Sequence, residues 1–238
     1  MKQVSKPANR QPGAAPAGRH GLGAGNRIAR RRLLRLAAAG PLAALAAACE
    51  LSVPGQGPPP NLYRLTPKSR FREDLPQVGW QLILEPPIAD ASLNTTRVAL
   101  QRDPTQLEYY ARSSWTDLAP QMVQTLMVES FENSGRIVSI GREAIGLRAD
   151  FVLKSELREF QAEYFQGGSP QVRVAINVKL VQMPRRLIVG STNFEQVGLA
   201  EADNMSDIIA AFDEALGKVL RRLVEWTILT GEENSQQA

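Results

Sequence analysis

Apolar and polar residues alternate along residues 151–197, which is the pattern of strands that bury one face. The clearest run is residues 172–180, where Val, Ile or Leu occupies every second position and Arg, Ala, Asn or Lys lies between. Turn-forming residues bound this run at 166–170 and again at 184–186. The pattern therefore predicts a three-stranded antiparallel meander over residues 151–197.

Shorter apolar runs in the first half of the chain predict further strands. One of them is stopped by a pair of prolines, and two others flank an Asp-Pro turn, as expected for a hairpin. Residues 63–79 are mixed and polar, which indicates a short strand and a loop. The predicted strands cover residues 80–84, 97–101, 107–111 and 137–140.

Two segments instead repeat apolar residues every three or four positions, which predicts amphipathic helices. The first is expected to begin at a cap formed by Thr116 or Asp117, to hold Pro120 in its first turn and to end at Gly135. The second is expected to begin with Ser206 as its N-cap and to end before a frayed polar tail, residues 231–238.

These elements together predict an α+β fold. The antiparallel sheet is packed on one face by two amphipathic helices, as a two-layer sandwich, and its other face stays partly open to water. The predicted folded domain spans residues 61–230.

A different pattern precedes this domain. Residues 36–48 are rich in Leu and Ala, carry no charge and follow a cluster of arginines at 30–35. A membrane-spanning helix needs about 20 apolar residues, so this run is too short for one and suits the apolar part of a secretion signal. Residues 1–48 are therefore predicted to be a signal peptide of the lipoprotein type.

Cys49 is the only cysteine of the chain, and it directly follows Ala46, Ala47 and Ala48. Small residues before a cysteine resemble a bacterial lipobox, in which the thiol receives a diacylglycerol. The Leu that usually stands three positions earlier is replaced by Ala46, with Leu45 one place before it. The alternative is an ordinary A-x-A cleavage with Cys49 incidental. The favoured prediction is a mature protein that begins at a lipidated Cys49.

The predicted route and destination follow from flanking residues. Arg-Arg-x-Leu-Leu-Arg at 30–35 resembles a twin-arginine signal, but arginine-rich Sec signals are also common, so both routes stay open. Residues 49–60 are rich in Pro and Gly, which predicts a tether. Glu50 is a weaker inner-membrane retention residue than Asp. The predicted location is the periplasmic face of the envelope, with the outer membrane favoured over the inner.

The net charge of +4 belongs to the leader and not to the domain. Nine of the 28 basic residues lie within residues 1–48, and no acid precedes Glu50, so the remainder holds 19 basic against 24 acidic residues, a charge of −5. A nucleic-acid partner is therefore excluded from the prediction.

The scarcity of reactive side chains limits the chemistry of the mature chain. The only histidine is His20, inside the leader, so removal of the leader and acylation of Cys49 leave no histidine and no free thiol. Nucleophile systems that pair Ser or Cys with His, and zinc sites built from His or Cys, are then excluded. Residues 135–141 lack the pattern of a phosphate loop. We predict no catalytic residue, no cofactor and no metal.

Three aromatic residues, Tyr109, Tyr110 and Trp115, lie between the predicted hairpin and the first helix. Packing at the junction of sheet and helix is one interpretation, and it is the preferred one. The other is a surface anchor for a protein partner, because Tyr and Trp are frequent at interface hot spots. Tyr110 and Trp115 are the candidate residues for such a partner interface.

The order of motifs resembles a known family. Asn-Leu-Tyr-Arg-Leu at 61–65 follows the tether, and a Tyr-x-x-x-x-Trp-x-Asp stretch from Tyr110 to Asp117 leads into the first helix. Phe-Val-Leu-Lys at 151–154 then opens the meander. Over roughly residues 61–229 the chain resembles the ABC-type transport auxiliary lipoproteins, the family of the paraquat-inducible auxiliary lipoprotein.

This resemblance implies a non-catalytic periplasmic component of an MCE-type (mammalian-cell-entry) lipid transport system, with phospholipid as cargo. Its expected partners are an MCE-domain protein, an ABC permease and an ATPase, besides the membrane itself, and a homo-oligomer stays open. A lipoprotein that binds a small ligand or a cell-wall component without a transporter is one alternative. A hydrolase that uses carboxylates alone is another.

Overall fold

The computed structural model of the chain describes residues 58–142, 149–165 and 167–236. Cys49, the predicted signal peptide and most of the predicted tether lie outside these residues. Nine strands and two helices are found within the described part of the chain. They are β1 (Asn61–Tyr63), β2 (Val78–Leu84), β3 (Ile88–Ala89), β4 (Arg97–Asp103), β5 (Gln106–Trp115), α1 (Ala119–Ser134), β6 (Ile137–Arg142), β7 (Phe151–Glu163), β8 (Gln171–Gln182), β9 (Leu187–Leu199) and α2 (Met205–Ser235).

The predicted meander is confirmed. β7 pairs antiparallel with β8 along its whole length, from Phe151 opposite Gln182 to Glu163 opposite Gln171. β8 pairs antiparallel with β9 in the same way. The predicted hairpin is also confirmed, since β4 and β5 pair antiparallel. The alternating burial along these strands leaves one face of the meander for the core.

The sheet as a whole is mixed, so the prediction of an antiparallel sheet is wrong. β2, β3 and β4 all pair with β7 in parallel, β2 pairs with β6 in parallel, and β1 pairs with β5 in parallel. Parallel neighbours need long crossover connections, and these pairs join strands that are distant in the chain. The α+β class with two helices on a sheet is confirmed, whereas the two-layer arrangement stays a prediction.

Helix α1 lies where the spacing predicts it, but its cap differs. The N-cap residue is Leu118 and not Thr116 or Asp117, and Asp117 Oδ1 accepts a hydrogen bond from the Leu118 N–H at 2.7 Å. Pro120 lies in the first turn as predicted. The helix ends at Gly135, whose φ of 61° lies in the left-handed region that glycine adopts without strain.

Helix α2 begins earlier and ends later than its pattern predicts. Asn204, and not Ser206, is the N-cap, and its side chain accepts a hydrogen bond from the Asp207 N–H at 3.1 Å. The helix continues through Gly231 to Ser235, so the predicted frayed tail is helical over residues 231–235. A Cβ on Gly231 would lie 2.5 Å from Cζ2 of Trp80, so the glycine lets the helix approach the Trp80 ring.

Both helices and the inner face of the sheet share one buried cluster. Its aromatic centre is formed by Trp115 at the end of β5, Phe160 in β7 and Phe212 in α2, with ring centroids 5.1–5.3 Å apart. Such tilted and edge-to-face pairs add to the stability gained from apolar burial. The centre therefore ties the hairpin, the meander and the last helix together.

Among the described strands, β9 pairs only with β8 and forms an outer edge of the sheet. Two of its carbonyl groups are occupied by side chains. Arg222 of α2 donates from Nη2 to the Glu195 carbonyl at 2.6 Å, and Gln196 donates from Nε2 to the Val197 carbonyl at 2.8 Å. These two carbonyl groups of the edge strand therefore have hydrogen-bond donors within the chain.

Candidate functional site

The two aromatic residues predicted for a partner interface lie in different surroundings. Trp115 is 1% exposed and packs against Phe160 and Phe212. Its ring cannot reach a partner in this fold, so the prediction of Trp115 as a surface anchor is corrected to a core residue. Tyr110 is half-buried, and its partner role stays a prediction.

A bulge in β5 separates the two residues. Ala99 of β4 faces Tyr109, but Arg97, only two residues away, faces Ser114 of β5. The extra residues of β5 include Arg112, whose φ of 55° is rare for a residue other than glycine. Such a bulge turns the strand and resets which side chains face the core. Regular alternation between Tyr110 and Trp115 is therefore lost.

The hydroxyl group of Tyr110 belongs to a chain of hydrogen bonds. Tyr164, directly after β7, donates its O–H to Asp203 Oδ1 at 2.7 Å, and its oxygen lies 2.8 Å from the Tyr110 oxygen. A phenol has one proton, so Tyr110 must be the donor to Tyr164. The guanidinium carbon of Arg102 lies 5.0 Å from the centroid of the Tyr164 ring. We call Arg102, Tyr110, Tyr164 and Asp203 the tyrosine chain.

The tyrosine chain is arranged to hold protons and not to exchange them near neutral pH. Burial raises the pKa of Tyr110 well above its usual range, and the hydrogen bond to Tyr164 raises it further. Burial also raises the pKa of Tyr164. A general base works best with a pKa near the working pH, so neither phenol suits that task. The tyrosine chain instead links β5 and the end of β7 to the start of α2 through hydrogen bonds.

The sequence did not single out Arg102, Tyr164 and Asp203. Tyr164 falls within the predicted meander without any feature that marks it, and it lies 54 positions from Tyr110 and 39 from Asp203. Contacts over such separations follow from strand pairing, which the local pattern does not encode. The exposed Arg102 and Asp203 beside Tyr110 nevertheless give this region the composition of an interaction surface.

Tyr110→Phe is expected to lower stability at pH 7 by about 1 kcal/mol, because it removes the donor to Tyr164. The melting temperature should fall by about 2–4 °C in thermal denaturation followed by circular dichroism. The pKa of Tyr110 is higher in the folded chain than in the unfolded chain, where a phenol titrates at about 10. The stability that the protonated Tyr110 side chain contributes is therefore fully present below about pH 10, and it is lost as the pH rises above that value.

The deficit of the Tyr110→Phe variant should accordingly narrow as the pH is raised through about 10. Tyr63→Phe is the matched control, because no side-chain hydrogen bond of Tyr63 is found within the described residues. An equal loss of stability in both variants would contradict the assigned hydrogen bond.

Two further features concern the described residues alone. No group of three or more His, Cys, Asp or Glu side chains is placed there to hold a metal ion. None of the helices in these parts of the chain combines the length and the apolar character needed to cross a membrane.

The family model described as ABC-type transport auxiliary lipoprotein component matches residues 63–224. The chain belongs to this family. The match runs from β1 into α2, so it contains the aromatic centre and the tyrosine chain. The resemblance seen in the sequence over residues 61–229 is thereby confirmed, and the protein is a transport auxiliary lipoprotein.

Similar proteins agree with this family at the level of the fold. The crystal structure of protein XCC0632 from Xanthomonas campestris has a TM-score of 0.71 and 29% identity, and the match covers 74% of this chain and 99% of that one. A second crystal structure, of an uncharacterized protein, has a TM-score of 0.54 and 13% identity, with 70% and 97% covered, and supports the fold alone.

A curated relative matches a shorter region. The uncharacterized protein bll6063 of Bradyrhizobium diazoefficiens is 27% identical over 125 residues, which are 50% of this chain and 32% of the relative. The chain thus spans about a third of the length of that relative.

Proposed function

We propose that the protein is a lipid-anchored accessory component of an ABC/MCE-type transport system at the periplasmic face of the envelope. It docks and holds the conduit through which phospholipid moves between membranes, and it catalyses no reaction itself. The observation that carries this proposal is the family match over residues 63–224. The MCE-domain protein, the permease and the ATPase are proposed partners.

The sequence around Cys49 supports the anchor. The apolar run at 36–48 ends in small residues beside the only cysteine, and the Pro-rich tether follows. A tether over residues 51–60 would reach about 30 Å if extended at about 3.1 Å per residue. A domain on such a tether can stand clear of the lipid headgroups and meet a partner that projects from a membrane.

The chemistry of the domain supports docking. Residues 50–238 contain no histidine and no cysteine, and the family description is that of an auxiliary component. The chain also lacks a phosphate-loop motif, so a proposed ATPase partner must supply the energy. The surface around the tyrosine chain is the docking surface that we propose, because it combines a half-buried Tyr110 with an exposed Arg102.

Co-purification from native membranes tests this proposal. The tagged full-length protein, extracted in a mild detergent, is expected to recover an MCE-domain protein together with a permease and an ATPase, identified by mass spectrometry. Arg102→Glu should reduce that recovery, whereas Arg70→Glu, a charge reversal at another exposed position, should leave it unchanged.

A second bait separates docking from shared membrane residence. A tagged chain that ends after Pro60 keeps the predicted signal, Cys49 and the tether but lacks the domain. If this bait recovers the same proteins, or if the full-length chain recovers no MCE-domain protein, the proposal is wrong. That result would favour a lipoprotein that acts without a transporter.

A further inference from the structure

An apolar row crosses four strands on the face of the sheet that points away from the helices. Ile83 of β2 pairs with Val152 of β7, Val152 pairs with Val181 of β8, and Val181 pairs with Ile188 of β9. Paired residues on neighbouring strands point to the same face, so the four side chains are continuous. Their neighbours along the strands, such as Leu153 and Leu180, belong to the core cluster. The row therefore lies outside that cluster, and Val152 and Val181, which are 9% and 5% exposed, form its floor between the more exposed Ile83 and Ile188.

The next row along the same face is cationic. Lys154 of β7 lies directly opposite Lys179 of β8, and both lysines are exposed. The Nζ of Lys154 lies 2.6 Å from Oε1 of Glu85, whereas no ion pair of Lys179 is found in the described part of the chain. Like charges directly opposite each other destabilise a sheet. Among the described residues, Lys179 thus places a positive charge beside the apolar row without an ion-pair partner.

These two rows line a cavity of about 450 Å³. Glu85, Ala149, Met183 and Arg186 also line it, so its charged lining consists of three cationic side chains and one acid. The volume lies within the range of about 300–1,000 Å³ that is usual for small-molecule sites, as does the combination of apolar walls with a few charged groups. We call this cavity the open-face groove.

We infer that the open-face groove binds a long-chain fatty acid, with its acyl chain along the apolar row and its carboxylate at Lys179. Lys179 lies two residues from Val181 on β8, so from there the acyl chain crosses two gaps between strands, about 10 Å, toward Ile83. The row is one side chain wide, which suits a single acyl chain. An anionic head group complements the uncompensated lysine. The inference goes beyond the proposed docking role, because such binding needs no transporter.

Photo-crosslinking tests the inference with the full-length protein in phosphatidylcholine nanodiscs. The probe is a palmitic acid that carries a diazirine in its acyl chain, and adducts are mapped by peptide mass spectrometry. Adducts are expected on peptides that contain Val152, Val181 or Ile188. Lys179→Glu should reduce them by about tenfold or more, because it replaces attraction of the carboxylate by repulsion.

The variants are chosen so that loss of binding is distinct from loss of folding. Lys179→Glu places an acid opposite Lys154, so its melting temperature should rise by about 1–3 °C. Ile188 is 59% exposed, so Ile188→Asp should reduce the adducts while the fold is kept. Lys218→Glu, an equal charge change on helix α2, should leave the adducts unchanged.

Three results would overturn the inference. Adducts confined to other peptides would place the lipid elsewhere and leave the groove as a surface for a protein. Adducts that persist in Lys179→Glu would remove the role of the lysine. Equal labelling by the methyl ester of the same probe would show that the carboxylate is not recognised. Because the nanodiscs contain no transporter component, the result is independent of the co-purification experiment.

Discussion

Cys49→Ala is expected to move the protein from the membrane fraction to the soluble fraction almost completely. Acyl chains contribute about 0.8 kcal/mol for each buried methylene group, and more than one chain is needed for stable anchoring. Ala46, Ala47 and Ala48 still offer an A-x-A site, so the variant should be exported and cleaved.

Fractionation of cells with immunodetection checks this expectation, and mass spectrometry of the N-terminal peptide checks the lipid itself. Ser52→Ala, three residues further along the same tether, is the matched control and should stay in the membrane fraction. A Cys49→Ala protein that remains in the membrane, after its leader has been removed, would exclude the lipid as the anchor.

Phe212→Ala should cause the largest loss of stability among the changes considered. The side chain is fully buried, and its ring lies 5.2 Å from that of Trp115 and 5.1 Å from that of Phe160, between centroids. Removing a buried phenylalanine costs about 3–5 kcal/mol, since the cavity adds to the lost apolar burial. The melting temperature should fall by roughly 10 °C or more.

Thermal or urea denaturation measures this loss. Phe165→Ala is the control, because that ring is 42% exposed and its removal should change stability by less than about 1 kcal/mol. A Phe212→Ala protein that melts within a few degrees of the original would show that the aromatic centre does not join α2 to the sheet.

Elements with a strong local signal were predicted well. The meander β7–β9 follows from alternation that each strand carries within itself, and the end of α1 follows from a glycine with positive φ. These features depend on residues that are close in the chain, so the sequence alone indicates them. The same holds for the hairpin of β4 and β5, which a short turn connects.

The direction of the remaining strands was not predictable in the same way. Alternation along β2 or β4 indicates which face of the strand is buried, but it does not indicate which neighbouring strand it pairs with. Both strands pair in parallel with β7. The end of α2 shows a related limit. In the sequence, Gly231 suggests the end of a helix. In the structure the helix continues through it, and the missing side chain leaves room for the Trp80 ring to pack against the helix.

The two candidate sites show the same contrast. Tyr110 and Trp115 could not be separated before the bulge at Arg112 was known, because regular alternation assigns faces only in an unbroken strand. The alternation around Lys179 did predict that this residue lies on a solvent-exposed face of its strand. That Lys179 lies opposite Lys154, however, depends on the register between β7 and β8. A site formed by side chains on several neighbouring strands can therefore be recognised only once the pairing and register of those strands are known.

The outer edge at β9 has a consequence for a protein that is attached to a membrane. Copies on one surface are crowded in two dimensions, and an unpaired strand invites edge-to-edge aggregation with its neighbours. Arg222 and Gln196 already occupy the carbonyl groups of Glu195 and Val197. An incoming strand that used these carbonyl groups would compete with both side chains, so the guanidinium that reaches over from α2 disfavours pairing of neighbouring copies at this part of the edge.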